Sequence, residues 1–256
     1  MTITKSLSKL YRLSLILISA FLLTNCEREE NQEDVFQETT SSLSKKTFNL
    51  TGFYNGSDKG LYYIKQIGND IFWFGEDPSG IWANTFKGTL DGNTLSGTFY
   101  DVPKGRNVAY GALTFSISSD GNVIKKTFGP GFGGNVLTKA NRPSELPGTR
   151  IQGFGNNNNI NDLTARWKAN DGGFYYIRQI GNRIMWFGEQ DYKNGRPIWS
   201  NVAFGIRSGN TINLEWIDVP KGNNGGYGKL VLKVDDANTI SRTQATGGFG
   251  GRTWKR

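Results

Sequence analysis

Matched pairs of polar side chains stand at corresponding places in the two halves of the chain: Lys65 and Arg178, Gln66 and Gln179, Glu76 and Glu189, Asp101 and Asp218. The indoles Trp73, Trp186, Trp82 and Trp199 accompany them. Rings that stack on the C–H faces of a sugar, beside groups that exchange hydrogen bonds with its hydroxyls, are the ingredients of a carbohydrate site. The carboxylates admit a second chemistry, because Glu76 with Asp101, or Glu189 with Asp218, could flank a glycosidic bond as a hydrolase pair does. One acid on each of two loops of a small domain is weak support for hydrolysis, and a non-catalytic binder is the expectation. The chain has no histidine and a single cysteine, Cys26. Zinc sites of the usual kind and Ser-His-Asp or Cys-His catalysis are thereby excluded. No glycine pattern for a nucleotide phosphate stands in a strand-to-helix setting, so neither a cofactor nor a metal is expected.

The elements that must position these residues come in two copies. Tyr62-Tyr63-Ile64-Lys65-Gln66-Ile67-Gly68-Asn69 returns as Tyr175-Tyr176-Ile177-Arg178-Gln179-Ile180-Gly181-Asn182, and Trp73-Phe74-Gly75-Glu76 as Trp186-Phe187-Gly188-Glu189. After an insertion around Tyr192 to Gly195 the offset of 113 becomes 117, which aligns Trp82 with Trp199 and Asp101-Val102-Pro103-Lys104-Gly105 with Asp218-Val219-Pro220-Lys221-Gly222. A unit of about 95 residues is too long for a solenoid repeat and the right size for a small domain. The spacing assigns 1–25 to a signal peptide, 26–44 to an acidic tether, 45–140 and 160–256 to the two domains, each with its own core, and 141–159 to a proline-containing linker.

Within each copy, short runs rich in Tyr, Ile, Trp and Phe alternate with turn signals. Leu61 to Ile67, Gly68-Asn69-Asp70 and Ile71 to Gly75 read as a hairpin. Further strands are expected at Trp82 to Leu90, Thr94 to Tyr100, Gly111 to Ser118 and Val123 to Phe128, with an opening strand over Asn49 to Asn55 and a closing one over Gly134 to Lys139. No helical apolar period lasts three turns. About eight short strands per copy make each domain an all-β antiparallel barrel or sandwich. Closure of the last strand on the first, which removes exposed edges, favours an up-and-down, calycin-like barrel. In strand plan alone each copy resembles the avidin and lipocalin class, and its motif string is similar to small uncharacterised domains of secreted bacterial proteins.

Taken singly, each ring is better explained by core or cross-strand packing. The runs Tyr62-Tyr63 and Phe72-Trp73-Phe74 are different, because successive strand residues face opposite ways. Some of these rings must be exposed or cover the other domain. The Asn69 and Asn182 pair suits hairpin turns, and the Asp101 to Gly105 segment suits a loop held by an Asp-to-backbone hydrogen bond.

Lys5, Lys9 and Arg12 precede the apolar run Leu13 to Leu23, too short for a membrane span and suited to a signal-peptide core. Leu23-Thr24-Asn25-Cys26 resembles the lipobox of bacterial lipoproteins, with Asn25 departing from the usual small residue. That resemblance implies cleavage before Cys26 and acylation of its thiol, hence an outer-membrane protein held by lipid. The acidic run from Glu27 to Asp34 resembles the surface-export signal of lipoproteins in the Bacteroidota. From Lys45 onward 26 Lys and Arg stand against 16 Asp and Glu, about +10, which could attract an anionic polysaccharide. The basic residues are scattered and not striped, so nucleic acid is not an expected partner. The expectation is a lipid-anchored protein that binds an extracellular glycan or another envelope component. A carrier with an apolar pocket in each barrel and a structural envelope protein that contacts other proteins are the alternatives.

Overall fold

Period-two alternation decides the architecture. The computed structural model describes residues 49–149, 153–155, 158–192 and 197–256; the expected signal peptide, Cys26 and the expected acidic tether lie outside them. In the first copy β1 is Gly52–Gly56, β2 Leu61–Ile67, β3 Asp70–Glu76, β4 Ala83–Asp91, β5 Thr94–Asp101, β6 Tyr110–Ile117, β7 Val123–Phe128 and β8 Val136–Ala140. In the second, β9 is Ala165–Ala169, β10 Gly173–Ile180, β11 Arg183–Gln190, β12 Ser200–Ser208, β13 Thr211–Asp218, β14 Tyr227–Asp236, β15 Thr239–Ala245 and β16 Thr253–Lys255. Each set of eight closes in sequence order into an antiparallel barrel. The closing contacts pair Tyr54 with Lys139 in β8 and Lys168 with Lys255 in β16. The barrel reading is therefore the correct one of the two, and the strands of the first copy, with the β10–β11 hairpin of the second, fall within a few residues of the expected ones.

Turn chemistry fixes the registers. Gly68 and Gly181 adopt φ of 59° and 60°, as the first central residue of a two-residue II′ hairpin loop requires, and Ile67 pairs with Asp70 across the first of these turns. Gln66 closes the same end: its side chain accepts the Leu50 N–H at 2.8 Å and donates to the Gly68 carbonyl at 2.9 Å. Gln179 repeats both bonds with Leu163 and Gly181. Gly75 and Gly188 have a packing reason. A Cβ at Gly75 would lie 2.7 Å from the Tyr62 ring, and one at Gly188 equally close to Tyr175.

The alternation sends Trp73 into its own barrel, stacked on Phe86 at 3.7 Å between centroids, while Phe72 and Phe74 point out. The second copy sends Trp186 inward and Phe187 outward in the same way. The outward rings do not meet solvent. Tyr63, Phe72, Phe74, Tyr100 and Val102 pack against Tyr176, Met185, Phe187, Phe204 and Val219 in a third core shared by both barrels. Each barrel has the expected core of its own, and this third one adds a joint core that the sequence did not announce. Ser44–Arg256 is one compact unit, and Phe74 and Phe187, which correspond in the two repeats, stack at 3.4 Å with 4° between planes.

Candidate functional site

Two groups of matched residues occupy quite different places. The first is sealed between the barrels. Glu76 and Glu189, at the outward ends of β3 and β11, meet Lys104 and Lys221 from the two Asp-Val-Pro-Lys-Gly loops, and all four are at most 1 % exposed. Lys221 Nζ lies 2.7 Å from Glu76 Oε1 and 2.8 Å from Glu189 Oε2, and donates to the Pro147 carbonyl at 2.8 Å. Lys104 Nζ sits 2.8 Å from Glu76 Oε2 and 2.7 Å from Glu189 Oε1, at ion-pair distance but out of line for hydrogen bonds. The Tyr63 hydroxyl donates to Glu76 at 3.0 Å. Both ammoniums flank the stacked phenyl pair, 5.1 to 5.5 Å from its centroids. Burial alone would raise the Glu76 carboxyl, but Lys104 and Lys221 outweigh it and hold its pKa below the ordinary value. Arg178 joins the same interface by donating to the carbonyls of Asp101, Val108 and Ala109 in the other repeat at 2.7, 2.6 and 2.9 Å.

The second group gathers at the open end of the second barrel. A cavity of about 150 Å³ there is walled by Tyr175, Trp199, Trp216 and Phe249 and edged by Asp171, Asn201, Asp218 and Asn224. β10 supplies Tyr175, β12 Asn201, and β13 both Trp216 and Asp218. Asp171 accepts the Tyr175 hydroxyl at 2.6 Å and the Gly173 N–H at 2.9 Å. Asn201 Oδ1 accepts the Trp186 indole N–H at 2.9 Å, which turns its amide nitrogen toward further partners. Asp218 Oδ2 accepts the Gly226 N–H at 2.8 Å, in the loop-holding role that Asp101 also plays with Ala109. Burial pushes the Asp218 carboxyl up to about 6 against the opposing pull of that N–H and of Lys65. Aromatic walls with spare acceptors and donors at the rim can hold one polar ring by stacking and hydrogen bonding.

Of the sequence-nominated residues, Trp199 and Asp218 line this cavity, and Trp82 and Asp101 take the matching positions in the first barrel. Trp73 and Trp186 are wholly enclosed in their cores and present no free face. Gln66 and Gln179 close turns. Lys65, Arg178, Glu76 and Glu189 belong to the interface side, so Glu76 and Asp101, or Glu189 and Asp218, face opposite sides of the sheet and do not converge on one bond. Asp171 and Trp216 escaped notice. Asp171 repeats Asp58 at the offset of 113, where Asp58 accepts the Tyr62 hydroxyl at 2.7 Å, and that recurrence was the available signal. Trp216 replaces Phe99 and so left no matched pair to find.

No protein-family model, curated protein or solved structure matches this chain. The functional reading therefore rests on the chemistry of the site.

Proposed function

We infer that this is a non-catalytic, lipid-anchored protein of the cell envelope that binds a glycan at the mouth of its second barrel. The observation that carries the reading is the cavity walled by Trp199 and Trp216, with Asp171, Asp218, Asn201 and Asn224 at its rim. At about 150 Å³ it lies below the several hundred Å³ of typical small-molecule sites, which suits one saccharide ring of a chain that continues outside. The barrel interiors favour no carrier role. Trp73 is surrounded by Tyr62, Phe86, Phe115 and Phe132, and Trp186 by Tyr175, Phe249 and Trp254.

Two measurements test the reading. In a glycan array and in titrations followed by indole fluorescence, Trp199→Ala should lower affinity about tenfold or more, the loss expected when a stacked ring is removed. Affinity should also decline as pH falls through about 6, since Asp218 is the stronger acceptor for a sugar hydroxyl when ionised; Asp218→Asn should flatten that profile. Uniform absence of binding across the array sinks the proposal. For the anchor, Cys26→Ala should release the protein from the membrane fraction, because acyl chains supply about 0.8 kcal/mol per buried methylene. Unchanged membrane association of that variant removes the lipobox reading.

A further inference from the structure

The duplication offers an internal comparison: what the fold needs recurs in both copies, and what one copy adds is free to serve something else. On the outer face of the second barrel Lys255, Lys168 and Phe174 lie in one row across β16, β9 and β10, with Arg166 two residues from Lys168 on the same face. The corresponding row in the first barrel is Thr138, Asn55 and Leu61, with Phe53 in place of Arg166. The barrel thus closes equally well without cations at these positions. Their presence has a cost, since like charges directly opposite on neighbouring strands repel. Lys168 reaches Asp191 at 3.1 Å, whereas Lys255 has no side-chain partner among the described residues. Lys168 and Arg166 both sit over the Phe174 ring, 3.9 and 4.6 Å from its centroid.

These residues line a groove of about 360 Å³ together with Pro103 of the other repeat, Phe154 and Arg256, and among the described residues no acidic side chain lines it. A cationic groove that carries the Phe174 and Phe154 rings beside its cations suits a sulfate or carboxylate on a sugar, the cations meeting the anion and a ring the C–H face. β9 and β10 also connect the groove to the barrel mouth. Lys168 is three residues from Asp171, at most about 10 Å of chain, and Phe174 faces outward beside the inward Tyr175.

Resting on the glycan reading above, we propose that the Arg166, Lys168 and Lys255 groove is an anion subsite, and that the ligand is an acidic polysaccharide with sulfated or uronic units. One ring occupies the mouth and a neighbouring anionic group lies across the groove. The two sites together gain affinity from being on one polymer.

The test uses the full chain in gel retardation and calorimetry with dextran sulfate, polygalacturonate and neutral dextran, each at two salt concentrations. The variant Arg166→Phe/Lys168→Asn/Lys255→Thr installs the residues that the first barrel tolerates, and Lys255→Thr alone is the milder form. A charge-matched control, Lys125→Ser/Arg183→Ser/Lys229→Ser, changes exposed positions elsewhere. The expected result is at least a tenfold loss of acidic-polymer affinity in the triple variant, a smaller loss in Lys255→Thr, a weakened salt dependence, and little change in the control. Equal losses in triple variant and control would reduce the effect to bulk charge and overturn the proposal, as would binding to anionic lipid vesicles but to neither acidic polymer. The mouth is judged separately. If Trp199→Ala leaves every affinity unchanged while the triple variant loses acidic binding, the groove stands and the mouth reading falls. If acidic and neutral polymers bind alike and only Trp199→Ala weakens them, the reverse holds.

Discussion

Replacing Lys221 by methionine should destabilise the folded unit by about 3–5 kcal/mol, the cost of breaking a buried ion pair by removing one partner. The reason is arithmetic at one point in space. Glu76 and Glu189 are buried with Lys104 and Lys221 and with no water-exposed face, so loss of one ammonium leaves two carboxylates to share the other. In a chain of this size that corresponds to a fall in Tm of roughly 6–20 °C. Replacing all four residues by methionine should restore most of the loss, because well-packed apolar residues commonly equal or exceed a buried ionic cluster in stability. The cluster then sets the pairing of the two barrels more than it strengthens them. The pH dependence has a defined sign. The Glu76 pKa is lower in the fold than its ordinary 4.5, so its contribution is full above that value and is lost as pH falls through the folded pKa. Thermal unfolding of the single and quadruple variants between pH 3 and 7 is the measurement. A change under 1 kcal/mol in Lys221→Met would mean that the cluster is hydrated and the barrels are not closed on one another.

The elements of this fold were legible because they are local. Two-residue turns such as Gly68-Asn69 and runs such as Tyr62 to Ile67 carry their signal within a dozen residues, and the duplication states each of them twice. Direction was harder to read. Phe72-Trp73-Phe74 announces that rings face both ways, but which side is shared with the other barrel depends on contacts more than a hundred residues apart. For that reason Glu76 and Glu189 looked like ligand-facing groups when each is paired with a lysine of the opposite repeat as well as one of its own. The loop-holding role that the sequence allowed Asp101 and Asp218 beside a ligand-binding one is present, since an Asp-to-backbone bond spans only eight residues. The mouth and the groove were poorly legible for a common reason: Trp216, Lys168 and Lys255 are places where the copies differ, and a search for matched residues passes over them.

An isolated second repeat, residues 160–256, should fold and then pair with a second copy of itself. Its own core is complete, since Trp167, Trp186, Trp216, Trp254 and their neighbours all come from this repeat, and β9 closes on β16 without help from the first. Separation from the first repeat, however, bares Tyr176, Met185, Phe187, Val202 and Ile217, which the shared core now covers. A contiguous apolar face of that kind drives association. The face is also nearly self-complementary, because the first repeat presents Phe74, Glu76 and Lys104 where the second has Phe187, Glu189 and Lys221. A two-fold pair of second repeats would stack Phe187 on Phe187 and set each Lys221 between two Glu189 carboxylates, as an isologous interface requires. Sedimentation equilibrium should report a dimer with a β-type circular dichroism spectrum. Lys221→Glu in the fragment would gather four carboxylates at the axis, where like-charge contacts cost several kcal/mol, and should yield a monomer that keeps its sheet. A wild-type fragment that stays monomeric would show that the bared face does not drive pairing by itself. A disordered fragment would show that the shared core is needed for either barrel to form.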